Sequence, residues 1–239
     1  MGESSAKIEG LLSDNVMIMP LAFLYEVTKG TNDTRARIFK KFKKSGGYVL
    51  SPSLGGLLKY ELSNHVPCGK PSGHVVAKDY SMDKCLKNPE FNLTEKQREA
   101  LNREISFNKR YSNYITNQWG EYKGLLKSKS PNDIRNMIFN DPQHILEKYS
   151  EITIDYSETA EKPSNIDKSW LIFIWIQALS LLSLDMTIRY EKNVIKKDKV
   201  KEKIQHDLLD MEYLLISVLE GTTLYTKDNK LSEWRKLFD

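Results

Sequence analysis

Cysteine is nearly absent from this chain of 239 residues, which has only Cys68 and Cys85. Two thiols separated by a polar stretch make neither a disulfide framework nor a zinc pattern, and they suit a reducing cytosol. Histidine is also sparse: His65, His74, His144 and His206 are scattered. A metal set written from His65, Cys68, His74 and Cys85 lacks the tight pairs of zinc ribbons and fingers. Long apolar runs are missing too. The longest, Trp170 to Leu184, falls short of the roughly 20 residues that a bilayer span needs. It also carries Gln177, Ser180 and Ser183, so it reads as a helix buried on most sides, and no membrane association is expected. "MGESSAKIEG" has no basic start followed by an apolar core, so no signal peptide is expected, and the chain reads as cytoplasmic. A net charge of +4 permits an anionic partner without requiring one.

What is present is a patterned chain of hydrophobic and charged residues. "VMIMP" (16–20) is a short apolar run, and the following "LAFLYEVTKG" places Leu21, Phe23, Leu24 and Val27 on one helical side with Gly30 as a stop. "NDTRARIFKKFKK" (32–44) predicts a second helix, "GGYVLSPSL" (46–54) a second strand, and "GGLLKYELS" another helix start. From 64 to 168 polar segments alternate with predicted helices at 94–127 and 131–149, the first opened by a Thr94/Gln97 capping box. This middle reads as a helical insertion or cap within a core made of 1–63 and 169–239. The last third holds a basic connector, a helix over 206–221 ended by Gly221, a strand "TTLYT" (222–226) and an acidic turn at Asp228.

Three acidic positions stand at comparable places along these elements. Glu26 lies in the helix after the first strand, Asp210 (with Asp207 as the competing choice) at the start of the late helix, and Asp228 just past the late strand. Open α/β sheets place ligand chemistry outside the carboxyl ends of their strands. Carboxylates that converge there repel one another unless a cation neutralises them, and Mg²⁺ or Mn²⁺ is held by a few carboxylates with waters and substrate phosphates. Each acid also has a plain structural reading: Glu26 as a solvated helix residue, Asp207 or Asp210 as a helix N-terminal residue, and Asp228 as a turn former.

"MPLAFLYEVTKG" together with "HDLLDMEYLLISVLEGTTLYTKDNKL" resembles the PIN-domain ribonucleases, the closest correspondence being "DMEYLLISVLEGTTLYTKD" (210–228). The resemblance implies an α/β fold, a PIN-like parallel sheet flanked by helices, here with a largely helical insertion. It further implies metal-dependent endoribonuclease activity on single-stranded or structured RNA. Glu26, Asp210 and Asp228 would bind Mg²⁺ or Mn²⁺, with Thr226 and Asp207 in support. The family opens on a strand ending in Asp, and no such strand precedes Glu26 here: either the amino end is abbreviated, or catalysis is lost and the fold kept, or "ITID" (152–155) supplies the strand by rearrangement with Asp155 as the acid.

Arg37, Lys40, Lys41 and Lys44 gather on one edge of the second helix, where they would track an RNA phosphate backbone or simply face solvent. Trp119, Tyr111, Tyr114 and Tyr122 have the spacing of packed helix residues rather than of a base-stacking platform. Two other functional classes stand beside the enzyme. One is a catalytically inactive PIN-like module for RNA or protein, with the Trp170–Leu184 helix serving a partner or a homodimer. The other is an unrelated helical structural protein.

Overall fold

The computed structural model describes residues 10, 15–29, 31–42, 48–74, 93–153 and 165–238. Strand β1 (Met17–Pro20) leads directly into helix α1 (Leu21–Lys29); α2 (Asn32–Phe42) follows, then β2 (Tyr48–Ser51) and α3 (Leu54–Asn64). A short 3₁₀ turn covers Pro71–Gly73, after which come α4 (Glu95–Asn117), α5 (Trp119–Leu125), α6 (Pro131–Asn140) and α7 (Pro142–Thr153). The remaining helices are α8 (Leu171–Arg189), α9 (Lys192–Ile195), α10 (Asp198–Glu220) and α11 (Asn229–Arg235). The chain is thus mainly helical, with one two-stranded parallel sheet among the described residues.

Two compact units divide the chain: one is Met1–Ser53 with Lys70–Ile105, the other Leu54–Gly69 with Ser106–Asp239. In the first unit β1 and β2 pair in parallel, from Met17 opposite Tyr48 to Pro20 opposite Ser51. Parallel neighbours need a long crossover, and α1 and α2 supply it. Met19, Ala22 and Val27 are buried here, so the apolar run gives Met19 and the expected helix stripe gives Val27 to this unit's core, while Phe23 is half-buried and the side chains of Leu21 and Leu24 are outside what is described. Gly30 and Lys44 lie outside the described residues.

The second unit is organised around α8. This helix touches α3, α5, α6, α7 and α10, which explains why it is apolar all round: every face meets another helix. Its full extent, Leu171–Arg189, is longer than the apolar run suggested and reaches the length and hydropathy of a membrane span, yet 83% of its most apolar window is buried within the fold. Ser183 and Thr187 donate to the carbonyls of Leu179 and Ser183 one turn back, which satisfies their hydroxyls without polar neighbours. Tyr111 meets Trp175 edge to face at 5.2 Å, and Tyr122 is fully buried, in keeping with the packing reading of those aromatics.

Several boundaries differ from expectation for identifiable reasons. The predicted 131–149 helix breaks at Asp141, because Pro142 has no N–H to continue the ladder and starts α7 instead. Ile152 and Thr153 end α7, so they are helical and not a strand; Asp155 lies outside the described residues. A capping box forms at Ser130/Asp133, with reciprocal bonds of 3.2 and 3.1 Å. The basic connector is itself helical: Val200 and Ile204, one turn apart and buried, carry the apolar stripe of α10 back to Asp198.

The predicted strand at 222–226 does not form. Gly221 takes φ 64° as the left-handed terminator of α10, and Thr222 N closes the cap on Ser217 O at 3.0 Å. The following residues have no buried face, with Tyr225 68% exposed, and strand propensity without a partner strand or a covered side stabilises nothing.

Candidate functional site

Within the second unit, the segment after α10 turns at Thr226 and Asp228. Thr226 Oγ1 accepts the Asp228 N–H at 3.0 Å. Asp228 is the N-cap of α11, its Oδ1 accepting the N–H groups of Lys230 at 2.8 Å and Leu231 at 3.2 Å. This is the strongest kind of N-cap, a carboxylate on the orphan donors at the positive end of the helix. Leu231 and Trp234, both buried, set the helix down beside α10. Burying them contributes about 1.5–3 kcal/mol each, more than the cap's typical ~1 kcal/mol.

The turn delivers Lys230 to two carboxylates. Its Nζ stands 3.3 Å from Asp207 Oδ2 on α10 and 3.2 Å from Asp185 Oδ2 on α8. The Asp185 contact has ion-pair distance but not hydrogen-bond geometry. Lys203 reaches Asp207 Oδ1 at 3.6 Å, and Arg189 reaches Asp185 Oδ1 at 3.1 Å. The ammonium also lies 4.3 Å over the Trp234 ring. Side-chain exposures of 12–20% for Asp207, Asp185 and Lys230 put this corner at the edge of the core, where each pair is worth only about 0–1 kcal/mol. Its consequence is charge balance more than stability.

Against the expected site, the structure brings Asp207 and the Thr226–Asp228 turn together through Lys230. Asp210 lies one turn further along α10 and is partly buried; it is 12 residues inside the helix that begins at Asp198, so the expectation of a helix-start position is corrected. Asp207 likewise caps nothing and is an ion-pair partner. Glu26 is exposed on α1 and belongs to the other compact unit. Arg37 is exposed on α2, with its Nη2 3.3 Å from Thr34 Oγ1; Lys40 and Lys41 lie on the same helix, and their side chains are outside what is described. Among the described residues, no group of three or more His, Cys, Asp or Glu side chains is placed to hold a metal ion.

Two buried polar centres escaped the sequence reading. Glu61 is fully buried on α3, in the stripe Leu54, Leu57, Leu58, Leu62. Its Oε1 accepts Leu171 N at 2.7 Å and Cys68 N at 3.0 Å, and its Oε2 accepts Ile172 N at 2.8 Å. Glu61 is therefore the missing N-cap of α8, supplied from 110 residues upstream. Burial raises its pKa, against the lowering effect of the three backbone donors. Burial and the neighbouring Glu61 push the Cys68 thiol up to about 12, which leaves it a packed, unreactive group. The signal was available: a lone Glu at i+7 of an apolar stripe must be buried, and a buried carboxylate must find donors.

The other centre lies between α5, α7 and α8. Lys148, 5% exposed, donates to Glu121 Oε2 at 2.6 Å and to Gln118 Oε1 at 2.8 Å, with Glu151 Oε2 at 3.7 Å. One turn back, the buried His144 Nε2 and Ser180 Oγ are 2.9 Å apart. Burial first, and Lys148 second, lower the His144 pKa and keep the imidazole neutral. Burial also raises the Tyr114 and Tyr122 phenols, with Glu151 the next contributor for Tyr114. A His–Ser contact invites a nucleophile reading. Ser180 is 1% exposed in the middle of α8, however, so the pair joins helices and meets no substrate.

No family model, curated protein or solved structure matches the chain.

Proposed function

We propose that the chain is a PIN-like protein whose second unit carries a divalent-cation-dependent, RNA-cleaving site at the corner of α8, α10 and the turn before α11. One observation supports the reading above the others: Lys230, from the turn that bears Thr226 and Asp228, meets Asp207 of α10 and Asp185 of α8. Two of the three elements that the resemblance makes into site walls, the late helix and the Asp228 turn, are thus neighbours, whereas the Glu26 helix belongs to the other unit. Two carboxylates share one ammonium at the corner, and a divalent cation would take that ammonium's place. Mg²⁺ is commonly bound by one or two carboxylates with waters and substrate phosphates, and Asp207 and Asp185 are the two that would hold it here. Such an ion would supply a hydroxide at neutral pH and stabilise the leaving oxygen of a phosphodiester. The protein's own part is to hold the carboxylates in place through α8 and α10 and to keep them charge-balanced through Lys230, Lys203 and Arg189.

The runner-up is an inactive PIN-like module that binds RNA or protein without hydrolysis. It is favoured by a specific observation: Asp228 is committed to capping α11, and Lys230 already neutralises the acids. Incubating the purified chain with single-stranded RNA and Mn²⁺ or Mg²⁺ separates the two. Cleavage that disappears in Asp207→Asn supports the enzyme, and RNA binding without cleavage under either metal supports the module.

A further inference from the structure

We infer that His144 is an acid-sensitive latch: a proton taken up there releases α7 from α5 and α8 while the rest of the second unit stays folded. The latch is independent of the RNA reading above, since no residue of the acidic corner takes part in it. Of the four histidines only His144 is buried; His65 and His206 are exposed, and His74 is half-buried.

The buried face of α7 consists of His144, Ile145, Lys148, Tyr149, Ile152 and Thr153, so it carries two basic side chains one helical turn apart. Lys148 takes up the nearby acceptors: Glu121 Oε2 at 2.6 Å, Gln118 Oε1 at 2.8 Å and Glu151 Oε2 at 3.7 Å. His144 meets a neutral group, the Ser180 hydroxyl at 2.9 Å. While the ring is neutral, Nε2 and the hydroxyl can share a hydrogen bond in either direction. A protonated ring can only donate, and it adds a second cation to the face that already buries Lys148.

The surroundings give that cation little relief. On α7, Asp141 and Glu147 are exposed, and Glu151 pairs with Lys148. On α5, Glu121 is committed to Lys148, and Tyr122 is a buried phenol. Helix α8 has no charged residue before Asp185. On α6, Asp133 is held in the capping box and Arg135 by Asn132. From α4, Tyr111 bonds the Ile152 carbonyl and Tyr114 lies near Glu151. From α3, Glu61 lies near Tyr149 but accepts three backbone N–H groups. Burial and Lys148 accordingly outweigh Glu121, Asp141 and Glu147 and hold the His144 pKa below 6.5. Once α7 lifts away, the ring meets water and binds its proton at the ordinary pKa, so acid favours the lifted form. The buried Ile145, Tyr149 and Ile152 oppose the release, which makes it a shift in a local opening and not the loss of the fold.

The test is amide hydrogen exchange of the full chain across this pH range, read by mass spectrometry and corrected for the intrinsic pH dependence of exchange. The opening equilibrium over 145–153 should rise by up to about tenfold between about pH 7.5 and about pH 5.5, the most that a single proton supplies one unit below 6.5. Helix α10 should change little. His144→Gln, which keeps a neutral side chain, should give a flat profile in α7. An NMR titration of the ring, read on the parent chain and so independent of how the variant folds, should place His144 below the exposed His65 and His206. A flat α7 profile in the parent would overturn the inference, as would equal acceleration in α7 and α10. So would a His144 ring that titrates with the exposed histidines. An acid response that persists in His144→Gln would also overturn it and assign the response to another group, Glu61 first.

Discussion

Lys230 and Asp207 meet at 3.3 Å across 23 residues of chain. The contact folds the segment after Gly221 back onto α10 and places the Thr226–Asp228 turn beside the acidic part of that helix. Four expectations follow from this corner and from the buried polar centres that support it.

Asp228 has two separable roles, because Asn caps a helix about as well as Asp but carries no charge. Asp228→Ala should lower stability by about 1 kcal/mol, a fall of roughly 2–4 °C in melting midpoint for a chain of this size. Asp228→Asn should melt within a degree or so of the parent and lose RNA cleavage. Calorimetry on the two variants, run beside the RNA assay, checks both halves. Equal destabilisation by the two substitutions would refute the cap, and unaltered cleavage in Asp228→Asn would confine the residue to it.

Glu61 should matter more than any surface ion pair. Glu61→Ala leaves three N–H groups, of Cys68, Leu171 and Ile172, without their acceptor in the core. At about 1–3 kcal/mol for each unsatisfied group, the loss should be about 3 kcal/mol or more in urea unfolding. A loss below about 1 kcal/mol would mean that α8 is capped in another way.

His144 predicts a pH dependence. Its folded pKa lies below its ordinary value of 6.5, through burial and Lys148, with Glu121, Asp141 and Glu147 acting the other way. The unfolded chain therefore binds the proton more readily than the folded one. The stabilising effect of a neutral His144 is complete above about pH 6.5 and declines as the pH falls below it, levelling off under the folded pKa. Denaturant unfolding at a series of pH values should show a shallower decline in His144→Gln than in the parent. Identical slopes would remove His144 from the account.

Much of this fold was legible where one residue type has one physical use. Gly221 ends α10 in the left-handed conformation as read, and the strand–helix step at Pro20 forms as read. The apolar stretch after Trp170 is a buried helix. The failures share a cause, which is that the deciding contact is distant in sequence or the pattern has two meanings. The lysine-rich stretch before α10 read as a connector because of its charge. Lys and Glu are good helix formers, however, and Val200 and Ile204 give the segment a core face. "TTLYT" read as a strand on propensity, which only a neighbouring strand could have realised. Of the candidate site, Asp207 and the Asp228 turn were visible as acids, whereas Asp185 and Lys230 were not. Their pairing depends on how α8, α10 and α11 come together, which no local spacing encodes.

The Asp207–Asp185 corner is proposed as a cation-dependent site acting on RNA. Its most direct test is a cleavage assay on single-stranded RNA with the full chain in Mn²⁺, in Mg²⁺ and in EDTA, beside Asp207→Asn and Asp185→Asn. Cleavage is expected in at least one metal and not in EDTA, with a loss of at least tenfold in each variant. Folded protein that leaves RNA intact in both metals, or cleavage unaffected by both substitutions, would contradict it.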